Sequence, residues 1–139
     1  MSDARLQELD DEFAFLDDWE QRYRHVIDLG RAVPPLPDHE RVDAAKVRGC
    51  ASQVWLISHR EDDVLHFRGE SDAAIVQGLL AILLRLYSGR PADEILALDA
   101  TAAFAKLGLG DALSPQRSNG LKAMATRIRE VARDLVAEQ

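Results

Sequence analysis

An α+β domain is what this sequence predicts, and three observations predict it. Apolar residues recur at helical spacing near both ends of the chain and again after residue 70. Two β-branched and aromatic runs lie close together within residues 53–68, and a proline cluster separates them from the first helices. The expected architecture is a small antiparallel β-sheet with helices packed on it. The chain has 139 residues, 47% of them apolar and 29% charged, enough for one core and one domain covering 1–139. No internal repeat or low-complexity tract interrupts it.

Leu6, Leu9, Phe13 and Leu16 share one helix face, so a first helix ends near Asp17. Asp18 is placed to accept the free N–H groups of a second helix, with Gln21 as its reciprocal partner and Trp19, Tyr23, Val26 and Ile27 on one face. Gly30 stands where such a helix stops. The two helices are expected to form a hairpin over the sheet. Pro34, Pro35 and Pro37 forbid regular helix or central strand and make an extended connector. Gln53-Val54-Trp55-Leu56-Ile57 and the alternating Val64-Leu65-His66-Phe67-Arg68 then pair as a hairpin turning at Glu61-Asp62-Asp63, with Lys46 and Val47 as a short edge strand.

Ser71 or Asp72 caps a third helix lined by Ile75, Leu79, Ile82, Leu83 and Leu86, in which Gly78 marks a close backbone contact. Arg90-Pro91 opens a short helix carrying Ile95 and Leu96. Residues 101–107 make another around Phe104, closed by Gly108 and Gly110. Ser114-Pro115, a hydroxyl cap followed by proline at the first helical position, opens a long last helix through Leu121, Met124, Ile128, Val131 and Leu135.

Seventeen basic residues against 24 acidic ones leave a net charge of -7, which argues against a nucleic-acid phosphate backbone and against an anionic membrane as partner. On that average the surface it meets is neutral or basic. The first residues carry neither a basic leader nor an apolar core, and the longest apolar stretch is far too short to span a bilayer. With one cysteine besides, the expected location is the reducing cytoplasm.

That one cysteine, Cys50, limits the chemistry to that of a single sulfur: no internal disulfide, no paired-thiol switch, no thiolate cage. A lone cysteine is commonly a small core residue, but Cys50 follows Gly49 at the junction of a loop and a strand, where glycine permits a backbone that turns a side chain outward. A reactive thiol needs help to ionise. Arg48 is adjacent in sequence, and Arg117 can approach in space. A Cys/His hydrolase needs an imidazole at the sulfur; His25, His39, His59 and His66 all read as solvated side chains, so that class trails. Metal-ligand spacing, phosphate loop and dinucleotide turn are all missing, so no cofactor is expected.

Four blocks carry a family likeness: Trp19-x-x-Arg22-Tyr23, Gly49-Cys50-x-Ser52-Gln53-Val54-Trp55, Gly69-x-Ser71-Asp72-Ala73-Ala74-Ile75, and Arg117-Ser118-Asn119-Gly120-Leu121. In order and separation the chain resembles the SufE family of sulfur acceptors from about Phe13 to the last helix. The resemblance implies the fold these proteins share with cluster scaffolds of the IscU type. It also implies that Cys50 takes the terminal sulfur from the persulfide of a pyridoxal-phosphate cysteine desulfurase of the SufS or CsdA kind. The carrier stimulates that enzyme and passes sulfur to iron–sulfur cluster assembly, through a downstream scaffold or acceptor. A scaffold role itself is set aside, since one thiol cannot hold a cluster.

By the same resemblance the thiol rests against apolar surface; the loop must then move out when the donor docks, and Gly49 is the expected hinge. The start of the third helix, Ser71-Asp72, lies beside the cysteine loop, where it either simply caps the helix or restrains the loop or touches the desulfurase. Arg117 either binds carboxylates or the first turn of the last helix, or steadies a thiolate or persulfide anion, or pairs with the partner. Arg48 and Ala51 depart from the common pattern around Gly49-Cys50 without removing a group the chemistry requires. The competing reading is a redox-sensing module whose thiol is capped reversibly.

Overall fold

Nine of the fourteen residues of helix α3 (Ala74–Tyr87) are buried, because its sequence is apolar on nearly every face. The rest of the protein is assembled around it. The computed structural model describes residues 3–109 and 114–138. Before α3 come α1 (Ala4–Ala14), α2 (Trp19–Arg31), two 3-10 turns (Asp38–Glu40 and Asp43–Ala45) and the strands β1 (Val54–Glu61) and β2 (Val64–Ser71). After it come β3 (Arg90–Pro91), α4 (Ala92–Ala97), α5 (Ala100–Lys106) and the long α6 (Pro115–Ala137). This is an α+β fold with one antiparallel sheet in the order β1-β2-β3.

Two glycines set the spacing between α2 and α3. A Cβ on Gly78 would lie 2.2 Å from the Val26 carbonyl oxygen, and one on Gly30 would lie 2.7 Å from the Gly78 nitrogen. The close contact expected at Gly78 is therefore present, and Gly30 has a different purpose from the one its sequence suggests. It lies inside α2, which ends one residue later at Arg31, and its missing side chain lets the helix backbones touch. α2 accordingly rests on α3, α1 touches α3 more lightly, and α3 rests on β2.

β1 and β2 pair in register from Val54 opposite Ser71 to Glu61 opposite Val64. Asp62 takes φ 57° in the two-residue turn, a conformation that aspartate tolerates better than most residues. On its outer edge β1 is met, among the described residues, by a bridge between Lys46 and Trp55, reinforced by the Val47 N–H donating to the Val54 carbonyl at 2.8 Å. Its last four residues are exposed.

Arg90-Pro91 forms strand instead of helix. Gly89, at φ +80°, reverses the chain, and its N–H donates to the Leu65 carbonyl at 2.7 Å, so Arg90 returns along β2. Pro91 sits in the edge strand of the sheet, the kind of place where proline is tolerated. The buried Arg90 guanidinium donates to the Leu86 carbonyl and to Asp3 Oδ1, the latter at 2.7 Å. The same Asp3 oxygen caps α1. α6 begins as its sequence predicts, with Ser114 Oγ accepting the Arg117 N–H at 3.3 Å and proline in the first turn. Gly108, at φ +73°, follows the end of α5; Gly110 lies outside the described residues.

Candidate functional site

Gly49 has φ +95°, a backbone conformation nearly closed to other residues. It presses against α6 so closely that an added Cβ would lie 3.2 Å from the Ala123 Cβ. That bend aims Cys50 at the first half of α6, where its Sγ donates to the Gly120 carbonyl at 3.6 Å. Gly120 leaves room for the sulfur: a Cβ there would sit 3.7 Å from Sγ.

Cys50 forms part of the wall of a cavity of about 230 Å³. Ile75, Val76 and Leu79 of α3 and Met124 of α6 supply its apolar surface, and Arg117 in the first turn of α6 supplies its cation. Arg117 and Cys50 thus line the same cavity. Burial pushes the Cys50 thiol above its ordinary range, because a thiolate loses solvation there. In this arrangement the group is a neutral, half-sheltered thiol.

Ser71 and Asp72 do not cap α3; Ala73 occupies that position and offers no side-chain bond. The reason is that both are engaged elsewhere. Ser71 is the last residue of β2, its N–H donating to Gln77 Oε1 at 2.5 Å and its Oγ accepting the Ala73 N–H at 3.3 Å. Asp72 turns back to the cysteine loop: its carboxylate accepts the Gln53 N–H at 3.0 Å. Of the two, Asp72 bonds the loop's backbone and Ser71 bonds within the strand-to-helix corner. Neither lines the cavity.

None of the four histidines lines the Cys50 cavity. His25 bonds Glu12 at 3.2 Å, and His59 faces His66 across the hairpin. A Cys/His catalytic pair is therefore not assembled. Among the described residues there is no group of three metal-ligating side chains, and no helix is long and apolar enough to cross a membrane. Sequence reasoning missed the apolar walls, since Ile75, Leu79 and Met124 were legible only as core positions. It also missed Gln77, whose role depends on a corner that no periodicity announces.

The site is thus a lone thiol on a glycine-bent loop, held against a largely apolar hollow. Comparison with known proteins gives this arrangement a family. The family model described as "SufE: Fe-S metabolism associated domain" matches residues 7–132. An uncharacterized SufE-like protein of Rhizobium etli is 55% identical over 134 residues, covering 94% of this chain and 90% of the relative. The sulfur acceptor protein CsdE of Escherichia coli is 43% identical over 117 residues, covering 84% and 80%. The solution structure of a hypothetical protein from Thermus thermophilus has the same fold, with a TM-score of 0.79 over 99% of each chain at 20% identity. The chain belongs to the SufE family.

Proposed function

We propose that this chain is a sulfur acceptor that takes persulfide sulfur from a pyridoxal-phosphate cysteine desulfurase onto Cys50, stimulates that enzyme by relieving it, and passes the sulfur on to iron–sulfur cluster assembly. The observation that carries the reading is the single thiol of Cys50, half-buried in an apolar cavity on a loop bent at Gly49. The name of the Escherichia coli relative, sulfur acceptor protein CsdE, supports it. The site of action is the reducing cytoplasm, where a lone thiol stays reduced.

The Cys50 thiolate attacks the outer sulfur of the donor persulfide. A bond forms between Cys50 Sγ and that sulfur, the donor's S–S bond breaks, and the desulfurase cysteine leaves as a thiolate that takes up a proton. No net oxidation occurs. The attacker must be ionised and accessible, whereas the resting thiol is neutral and screened, so the loop leaves the cavity when the donor docks. Gly49 is the hinge, Asp72 the restraint on the loop's far end, and Arg117 the cation that steadies the sulfur anion.

The test is to incubate the protein with a cysteine desulfurase and cysteine and to weigh it after thiol tagging. The expected result is one added sulfur at Cys50, none in Cys50→Ser, and faster desulfurase turnover with the wild type alone. Equal stimulation by Cys50→Ser would overturn the proposal. Oxidant-driven capping of Cys50 with no sulfur uptake from the desulfurase would replace it with the redox-sensing reading. For the hinge, Gly49→Pro fixes φ near about -65° and slows transfer while the fold survives; unchanged transfer removes Gly49 from that role.

A further inference from the structure

The loop that carries Cys50 borders a second hollow, on the Gly49 side. This groove, of about 860 Å³, runs between residues 43–49 and residues 119–130 of α6. Lys46, Arg48, Lys122 and Arg127 line it, against two carboxylates, Asp43 and Glu130. A groove with more cations than carboxylates stands out on a chain whose net charge is -7.

Elsewhere the protein neutralises many of its cations at close range: Arg41, Arg60, Arg68, Arg85 and Arg90 each hold a carboxylate. None of the four groove cations does so among the described residues. Arg127 is instead fixed in the wall by donating to the Ala44 carbonyl at 3.1 Å and the Lys46 carbonyl at 3.4 Å. Arg48 and Lys122 are exposed. Like charges gathered in a concave surface repel one another, and they focus a positive potential that attracts an anion of matching shape. The remaining surface, acidic overall, repels a long phosphate backbone, so a short run of peptide carboxylates fits better.

We infer that this groove receives an acidic segment of the donor desulfurase, docking it against the cysteine loop. The inference rests on the sulfur-acceptor reading above and adds the chemistry of the partner. It also reverses the expectation of a neutral or basic partner drawn from net charge, because the charge beside Cys50 is opposite in sign to the average. Gly49 belongs to the groove wall, so a segment seated there touches the hinge while the sulfur faces the other hollow. Docking and release of the loop are thereby coupled in one place.

The test measures the carrier concentration that half-saturates stimulation of a purified cysteine desulfurase, with sulfur uptake at Cys50 recorded in the same reactions. Lys46→Glu/Lys122→Glu is expected to raise that concentration about tenfold at low ionic strength, and Lys46→Arg/Lys122→Arg to leave it within about twofold. Added salt weakens wild-type docking and leaves the glutamate variant nearly flat. A folded glutamate variant that half-saturates like wild type overturns the inference, as does a wild type insensitive to salt; that second measurement decides if the variant fails to fold. With wild-type sulfur uptake intact, such a result removes the groove alone. No wild-type uptake removes the acceptor reading beneath it.

Discussion

The carboxylate of Asp72 accepts the Gln53 N–H at 3.0 Å while the Gln53 carbonyl accepts the Asp72 N–H at 3.2 Å. This two-way clasp joins the downstream end of the cysteine loop to the start of α3, three residues from Cys50. The other end of the loop is the bend at Gly49, so the sulfur lies between a clasp and a bend.

Opening the clasp is expected to free the sulfur. Asp72→Ala is expected to cost about 1 kcal/mol of stability, since the bond is charge-assisted but solvent-exposed. It raises the rate at which iodoacetamide alkylates Cys50 several-fold. An unchanged alkylation rate in the folded variant would show that Asp72 does not restrain the loop.

The thiol should titrate late. Burial raises its pKa in the folded state, so alkylation of the wild type follows a pH midpoint above that of the same thiol in urea. The stability consequence has a definite sign. Because the unfolded chain ionises first, stability is full below the unfolded thiol's pKa and declines as pH rises through it toward the folded value. Cys50→Ala removes that alkaline decline, which thermal melts across the range would register.

At Gly120 the two directions of substitution separate. A Cβ meets Cys50 Sγ at 3.7 Å and its Cα and Cβ at 3.9 Å, ordinary contact distances. Gly120→Ala therefore stabilises the protein by about 0.5–1 kcal/mol through helix propensity and leaves the thiol seated. Gly120→Leu overfills the same space and expels the loop, seen as faster alkylation of Cys50.

Gly78 tolerates nothing larger. Its Cβ would meet backbone, the Val26 carbonyl oxygen at 2.2 Å, and backbone cannot rotate away as a side chain can. Gly78→Ala is expected to cost about 3 kcal/mol or more in a urea melt, at or beyond the upper end of overpacking effects. Sulfur transfer is lost with it through the fold rather than through the chemistry.

Much of this was legible in the sequence. The helix faces, the hairpin turn, the Ser114-Pro115 start and the contact at Gly78 all rest on local rules, which need no knowledge of what lies across the fold. The misreadings share a cause: Gly30, Arg90-Pro91 and Ser71-Asp72 each carry a local signal that a distant partner overrides. Gly30 answers to Gly78, Arg90 to Asp3 and Leu65, and Asp72 to Gln53. At the site, Cys50, Gly49 and Arg117 could be singled out by residue type. The apolar walls and the basic groove could not, because each is made by separate segments converging on α6.

The outward border of β1 has a consequence for the protein at high concentration. An unpaired strand margin is a template on which another chain can add itself, and sheets left open this way tend toward fibres. Here Ser58, His59, Arg60 and Glu61 occupy the exposed stretch, and Arg60 is further tethered to Glu138 at 2.8 Å. An incoming ladder would have to strip water from mixed charges at each step, which disfavours pairing along that margin.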